Sequence, residues 1–109
     1  MSKEESYVTR RWTKQLDEID REIGKLALLC DVPILDPGII ERVLDNDATV
    51  CGKPSPTTFA TMRNLLMMHY SVRSKAVVAL GPEEARQMVE QIVARLRARF
   101  GDRLGKPAA

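Results

Sequence analysis

The chain predicts an all-α fold, a small four-helix bundle of three long helices and one short one, with a helix 3–helix 4 hairpin and an expected dimeric state. Helix punctuation at Ser55-Pro56, Gly81-Pro82-Glu83-Glu84 and Gly101 brackets two apolar-periodic segments in the second half. In the first half, Trp12, Leu16, Ile19, Ile23, Leu26 and Cys30 advance in steps of 4, 3, 4, 3 and 4, the stripe of one helix face. A composition of 44% apolar and 29% charged residues over 109 positions fits one globular domain spanning 1–109.

The first helix is expected over residues 5 to 30. Asp17 and Arg21 form an acid-first pair four residues apart, the supportive order. Gly24 costs roughly 1 kcal/mol against Ala inside a helix, so it marks a close approach of another backbone. Asp31-Val32-Pro33 ends the helix, because the Pro33 ring denies a donor and drives Val32 toward extended geometry. Asp36-Pro37 reads as a cap followed by the first helical residue, which places a short second helix over 37 to 46. Its buried face is Ile39, Ile40, Val43 and Leu44, and Asp45-Asn46-Asp47 stops it. Residues 48 to 54 form a loop, with Thr49-Val50-Cys51 expected to be briefly extended.

The third helix runs from 56 to 80, capped by Ser55 and opened by Pro56. Its apolar positions cover more than one stripe, the pattern of a helix central to its fold or shared with a partner. Gly81 turns the chain, and Pro82-Glu83-Glu84 starts a fourth helix over 82 to 100, with acids where the dipole favours them. Ala85, Met88, Val89, Ile92, Val93, Leu96 and Phe100 give that helix one apolar face. Residues 1–5 and 101–109 are expected to be flexible ends.

Charge is nearly balanced but unevenly placed. Residues 1 to 52 hold 7 Lys/Arg against 11 Asp/Glu and residues 53 to 109 hold 10 against 4, which predicts an acidic first helix lying near a basic last one, within the fold or across a dimer. The charged start has no apolar targeting segment behind it and no stretch reaches membrane-spanning length, so the expected location is the cytoplasm, away from membranes. Cys30 and Cys51 are too few for a disulfide framework and read as small buried hydrophobes.

Chemistry has few handles. Gly52-Lys53 ahead of a helix fails as a phosphate-binding loop, because Asp47 stands where the first glycine is needed and Pro54 follows the lysine. His69, Cys30 and Cys51 lack the short spacing of a zinc site, so no metal or cofactor is expected. His69 lies in an apolar run, where a hydrogen-bonded structural histidine is the default, and no catalytic residue is assigned. Arg95, Arg99 and Arg103, spaced by four, form a basic stripe that can meet phosphates or simply complement the helix dipole.

Leu16-Asp17-Glu18-Ile19-Asp20-Arg21-Glu22-Ile23, with Ile34-Leu35-Asp36-Pro37 and Glu41-Arg42-Val43-Leu44 further on, resembles the opening of the all-helical chorismate mutases. The resemblance implies a small-molecule enzyme that holds a dicarboxylate with several cations. Thr13 stands where that family has an early arginine, Ile39 and Ile40 where it has Arg and Glu, and only a register slip brings Arg10, Arg11 or Lys14 into place.

Four of the five methionines fall in the hairpin, and flexible thioethers suit surfaces that accept a partner helix. The leading expectation is a small non-enzymatic protein–protein interaction or self-association module, regulatory in character. Its homodimer or partner interface is expected at Leu65, Met68, Val72, Ile92 and Leu96. The alternatives are a nucleic-acid-binding regulator using Arg95, Arg99 and Arg103, and a divergent chorismate-mutase-like enzyme.

Overall fold

The computed structural model describes residues 7–105. Four α-helices follow one another as α1 (Tyr7–Leu29), α2 (Ile39–Leu44), α3 (Pro56–Leu80) and α4 (Pro82–Phe100), with 3-10 turns at Ala48–Val50 and Gly101–Leu104. Three are long and one is short, and no strand occurs among the described residues.

Contacts between side chains far apart in sequence give the topology. The Thr9 hydroxyl donates to Glu84 at 2.6 Å, and Gly24 faces the Phe100 ring, so α1 and α4 run parallel. Asp20 meets His69, and Val8 and Trp12 share a groove with Ala79, so α3 runs antiparallel to both. The core lies where the three long helices meet, with Leu16, Met62, Ile92 and Leu104 completely buried. Burying one such side chain stabilises the fold by roughly 1.5–3 kcal/mol. The expected stripe on α1 faces this core, although its last turn is wrapped less fully than its composition suggested, since Leu29 is exposed.

Each helix end has its own device. α1 stops before Pro33 acts: Val32 N–H reaches Ala27 O at 2.8 Å and Asp31 N–H reaches Leu28 O at 3.3 Å, with Asp31 left-handed at φ 53°. This pair of bonds is a Schellman motif, with an aspartate where glycine is usual. Asn46, at φ 64°, closes α2 by the same pattern through Asp47 N–H to Arg42 O and Asn46 N–H to Val43 O, both 2.9 Å.

Four local expectations need correction. Asp36-Pro37 does not open α2; left-handed Gly38 precedes Ile39 as the cap, and Asp36 N–H instead closes a turn onto Pro33 O at 2.9 Å. Thr49 and Val50 lie in a 3-10 turn rather than an extended segment, because the Asp47 carboxylate accepts from Thr49 N–H at 3.1 Å and tightens the chain. Ser55 occupies the cap of α3, but its hydroxyl donates to the Thr58 hydroxyl at 2.8 Å instead of accepting from the backbone. Residues 101–104 are not a flexible end: Leu104 is buried and its carbonyl accepts Leu35 N–H at 2.7 Å, which pins the connector before α2. The other expected end segments, 1–5 and 106–109, lie outside the described residues.

α1 lies against α4 within the fold, as the charge pattern predicted. The Lys and Arg ion pairs among the described residues are local, Arg21 with Asp17, Lys25 with Glu22, Arg42 with Asp47, and Arg86 with Glu83 and Glu90. None joins α1 to α4, between which the Thr9 hydroxyl bonds Glu84.

Two glycines act for different reasons, and substitutions separate them. A Cβ at Gly24 would lie 2.6 Å from the Phe100 ring, so Gly24→Ala is expected to lower unfolding free energy by about 1–2 kcal/mol despite alanine's higher helix propensity. Phe100→Leu should remove most of that penalty in a double-mutant cycle read by urea denaturation. Gly81, the single residue between α3 and α4, sits at φ 91° with open space where a Cβ would stand. Its requirement is conformational, and Gly81→Val should cost more than about 1 kcal/mol with no second site able to restore it.

Candidate functional site

One cavity gathers ionisable side chains from several elements. It measures about 100 Å³ and lies where α1, α3, α4 and the connector before α2 converge. Ile23 from α1, Leu66 from α3, Val89, Val93 and Leu96 from α4, and Ile34, Leu35 and Ile40 make its apolar walls. Asp20, His69, Tyr70 and Arg73 supply the polar edge. The spacing of 69, 70 and 73 puts these three α3 side chains on adjacent positions of one helical turn.

Asp20 and His69 form the polar centre. They are 6% and 7% exposed, and His69 Nδ1 lies 2.7 Å from Asp20 Oδ1. A carboxylate accepts, so Nδ1 carries the proton and the second ring nitrogen, Nε2, is left for other work. Nε2 has no protein partner among the described residues. The Tyr70 ring packs edge-on to the imidazole at a centroid distance of 5.0 Å, and the Arg73 guanidinium lies over Tyr70 at 5.7 Å. Arg73 forms no ion pair with an acid among the described residues.

A second surface is the outer side of α3. Thr57, Ala60, Thr61, Asn64, Met67, Met68, Ser71, Ser74, Lys75, Val78 and Ala79 are all exposed, and Lys75 is their only charge. Met68 is 50% and Val78 87% exposed. At the far end of α3 this face continues onto α1 through the groove that Ala79 shares with Val8 and Trp12.

The structure divides the five side chains expected at an interface. Met68 is on the open face and Leu65 is half-buried, whereas Val72, Ile92 and Leu96 belong to the core of the subunit and are withdrawn from any apolar docking centre. Met62 and Met88 likewise fill the core, leaving Met67 and Met68 as the exposed thioethers of the hairpin. Arg95, Arg99 and Arg103 are all exposed, along α4 and the turn after it. The cavity edge carries one guanidinium, and Arg10, Arg11 and Lys14 remain on the exposed side of α1.

The cysteines meet. Lys53 N–H donates to Cys30 O at 3.0 Å and Gly52 N–H to Asp31 O at 2.9 Å, which holds the loop before α3 against the end of α1. Burial pushes the Cys30 thiol up to about 11, helped by the adjacent Cys51 side chain. Among the described residues no three His, Cys, Asp or Glu side chains gather as a metal site, and no helix is long and apolar enough to cross a membrane. No family model, curated protein or solved structure matches this chain.

The sequence marked His69 as a structural, hydrogen-bonded residue, and the bond is present. Its partner went unseen, because 49 positions separate Asp20 from His69 and no local motif joins them. The one available signal was Asp20 itself, an acid one residue from the apolar stripe of α1 and therefore at the boundary of its buried face.

Two outcomes follow from this geometry. Asp20→Leu strands a buried Nδ1–H and should cost about 2–3 kcal/mol, whereas Asp20→Leu with His69→Phe removes both polar partners and should recover most of it in denaturant melts. For Cys30, the folded thiol titrates near 11 against 9.0 for a free one, so the folded state keeps a proton the unfolded state loses. Its stability contribution is complete below pH 9 and is lost as pH rises toward 11; the alkaline loss measured over that window should be shallower in Cys30→Ala.

Proposed function

We propose that this chain is a small non-enzymatic self-association module of regulatory character, and that it pairs with a second copy of itself through the outer face of α3. The observation that carries the reading is the makeup of that face: eleven exposed positions, one charge, and exposed Met67, Met68 and Val78 among small polar residues. Two such faces meet across a two-fold axis with little like-charge repulsion, since Lys75 is the one charge on the face and lies toward one end, away from its symmetry mate in an antiparallel pair. Ala60, Ser71 and Ser74 allow close helix approach, while the thioethers adapt to the surface opposite. A 25-residue helix offers a face about 37 Å long. The continuation onto Val8 and Trp12 widens it toward the area a stable dimer needs, about 800 Å² per partner.

Sedimentation velocity at micromolar concentration tests the reading. The wild type should show a dimer mass, and Met67→Glu with Met68→Glu should show a monomer with unchanged helical circular dichroism. A wild type that stays monomeric up to about 100 µM, the range of weak association, contradicts it.

Nucleic-acid binding is the second reading, supported by Arg95, Arg97, Arg99 and Arg103. All four are exposed and none has an ion pair among the described residues. A salt titration on random duplex DNA decides it. Three or four phosphate contacts give a log–log slope of about −3, and a flat response excludes the arginine stripe as a duplex-binding surface.

A further inference from the structure

The cavity has features that neither a purely structural core nor the α3 docking face requires. Its edge holds His69 Nε2, which has no protein partner among the described residues and is not sealed from solvent. An unpaired ring nitrogen at the cavity edge is a hydrogen-bonding position that a packed apolar side chain does not offer. Beside it, Arg73 presents a cation that forms no ion pair among the described residues. Its guanidinium is held over the Tyr70 ring, which limits its freedom without neutralising its charge.

We infer that this cavity binds a small carboxylic acid with a compact apolar body, its carboxylate on Arg73 and its hydrocarbon between Ile23, Leu66 and Val89. Size selects the body. A dry cavity of about 150 Å³ takes a benzene ring, so a space of about 100 Å³ suits a chain or branch of four to six carbons whose head projects toward solvent. Charge selects the head, because guanidinium matches carboxylate geometry with two parallel hydrogen bonds. Asp20 lines the same cavity but forms no ion pair with Arg73; its Oδ1 is bonded to His69 Nδ1. His69 Nε2 then offers a hydrogen bond to a ligand polar group at the inner end of the site. No bond is made or broken; the site captures a ligand at the meeting point of the three long helices, so occupancy stabilises the fold by mass action.

The test uses the full chain and isovalerate as the probe, with isovaleramide as its uncharged counterpart and hexanoate and benzoate as size variants. Two-dimensional amide NMR titrations should show saturable shifts centred on residues around Asp20, His69 and Arg73, with isovalerate bound more tightly than its amide. Arg73→Gln should weaken isovalerate at least about tenfold, a loss near 1.4 kcal/mol, and leave the amide almost unaffected. Val93→Phe, which places a ring in the cavity from a half-exposed position, should abolish both. The inference is overturned if the wild type shows no saturable shift with any of the four probes at tens of millimolar, or if Arg73→Gln leaves the preference for acid over amide intact. Arg73 and Val93 lie off the outer face of α3 and Met67 and Met68 off the cavity wall, so dimerisation and ligand capture fail independently.

Discussion

The hydrogen bond between Asp20 and His69 is the constraint around which this molecule is arranged. It is a side-chain bond between α1 and α3 at the middle of their packed length, and both partners are more than nine-tenths buried. Apolar helix faces slide over one another at small cost, since one methyl contact is replaced by another. A mostly buried carboxylate and imidazole cannot, because a displaced pair leaves two polar groups without the bond that offsets their desolvation. The pair therefore fixes the register of α1 on α3. The parallel α4 is then aligned at both ends, by Thr9 with Glu84 and by Gly24 with Phe100.

That register gives α3 three different sides. Met62, Leu66 and Val72 face the core, His69, Tyr70 and Arg73 form the edge of the cavity, and Met67, Met68, Ser71 and Val78 face outward. The apolar character that the sequence spreads around this helix is thus divided between packing, a recess and an exposed outer face. The first of these stabilises the fold, and the other two are the surfaces proposed above for ligand capture and for self-association. Arg73 and Lys75 are the charges where the surfaces adjoin.

Legibility followed the range of the interactions involved. The α3–α4 hairpin was readable because Pro56, Gly81 and Pro82 act on their own backbone and the apolar period agreed with them. Asp45-Asn46-Asp47 stopped α2 as expected, through the left-handed Asn46. Gly24 announced a close contact, though the neighbour proved to be an aromatic ring rather than a backbone. What failed depended on distant partners. Asp36-Pro37 looked like a cap, but Leu35 is held by Leu104, which delays α2 to Ile39. Val72, Ile92 and Leu96 looked available for a partner because α3 is apolar nearly all round, and periodicity cannot say which of several apolar faces the rest of the chain covers. The approach of Cys51 to Cys30 and of Asp20 to His69 carries no sequence spacing at all; each arises from the way α1 and α3 come together.

His69 is the only histidine in the chain, so its ring nitrogens can be assigned without ambiguity. Long-range proton–nitrogen NMR of the imidazole is the most direct test of the arrangement, because it reports which nitrogen holds a proton. The geometry predicts a protonated Nδ1 engaged with Asp20, and an Nε2 whose signal moves when the cavity is occupied. A neutral ring with its proton on Nε2 and none on Nδ1, in the wild type at neutral pH, would contradict the bond on which the arrangement rests.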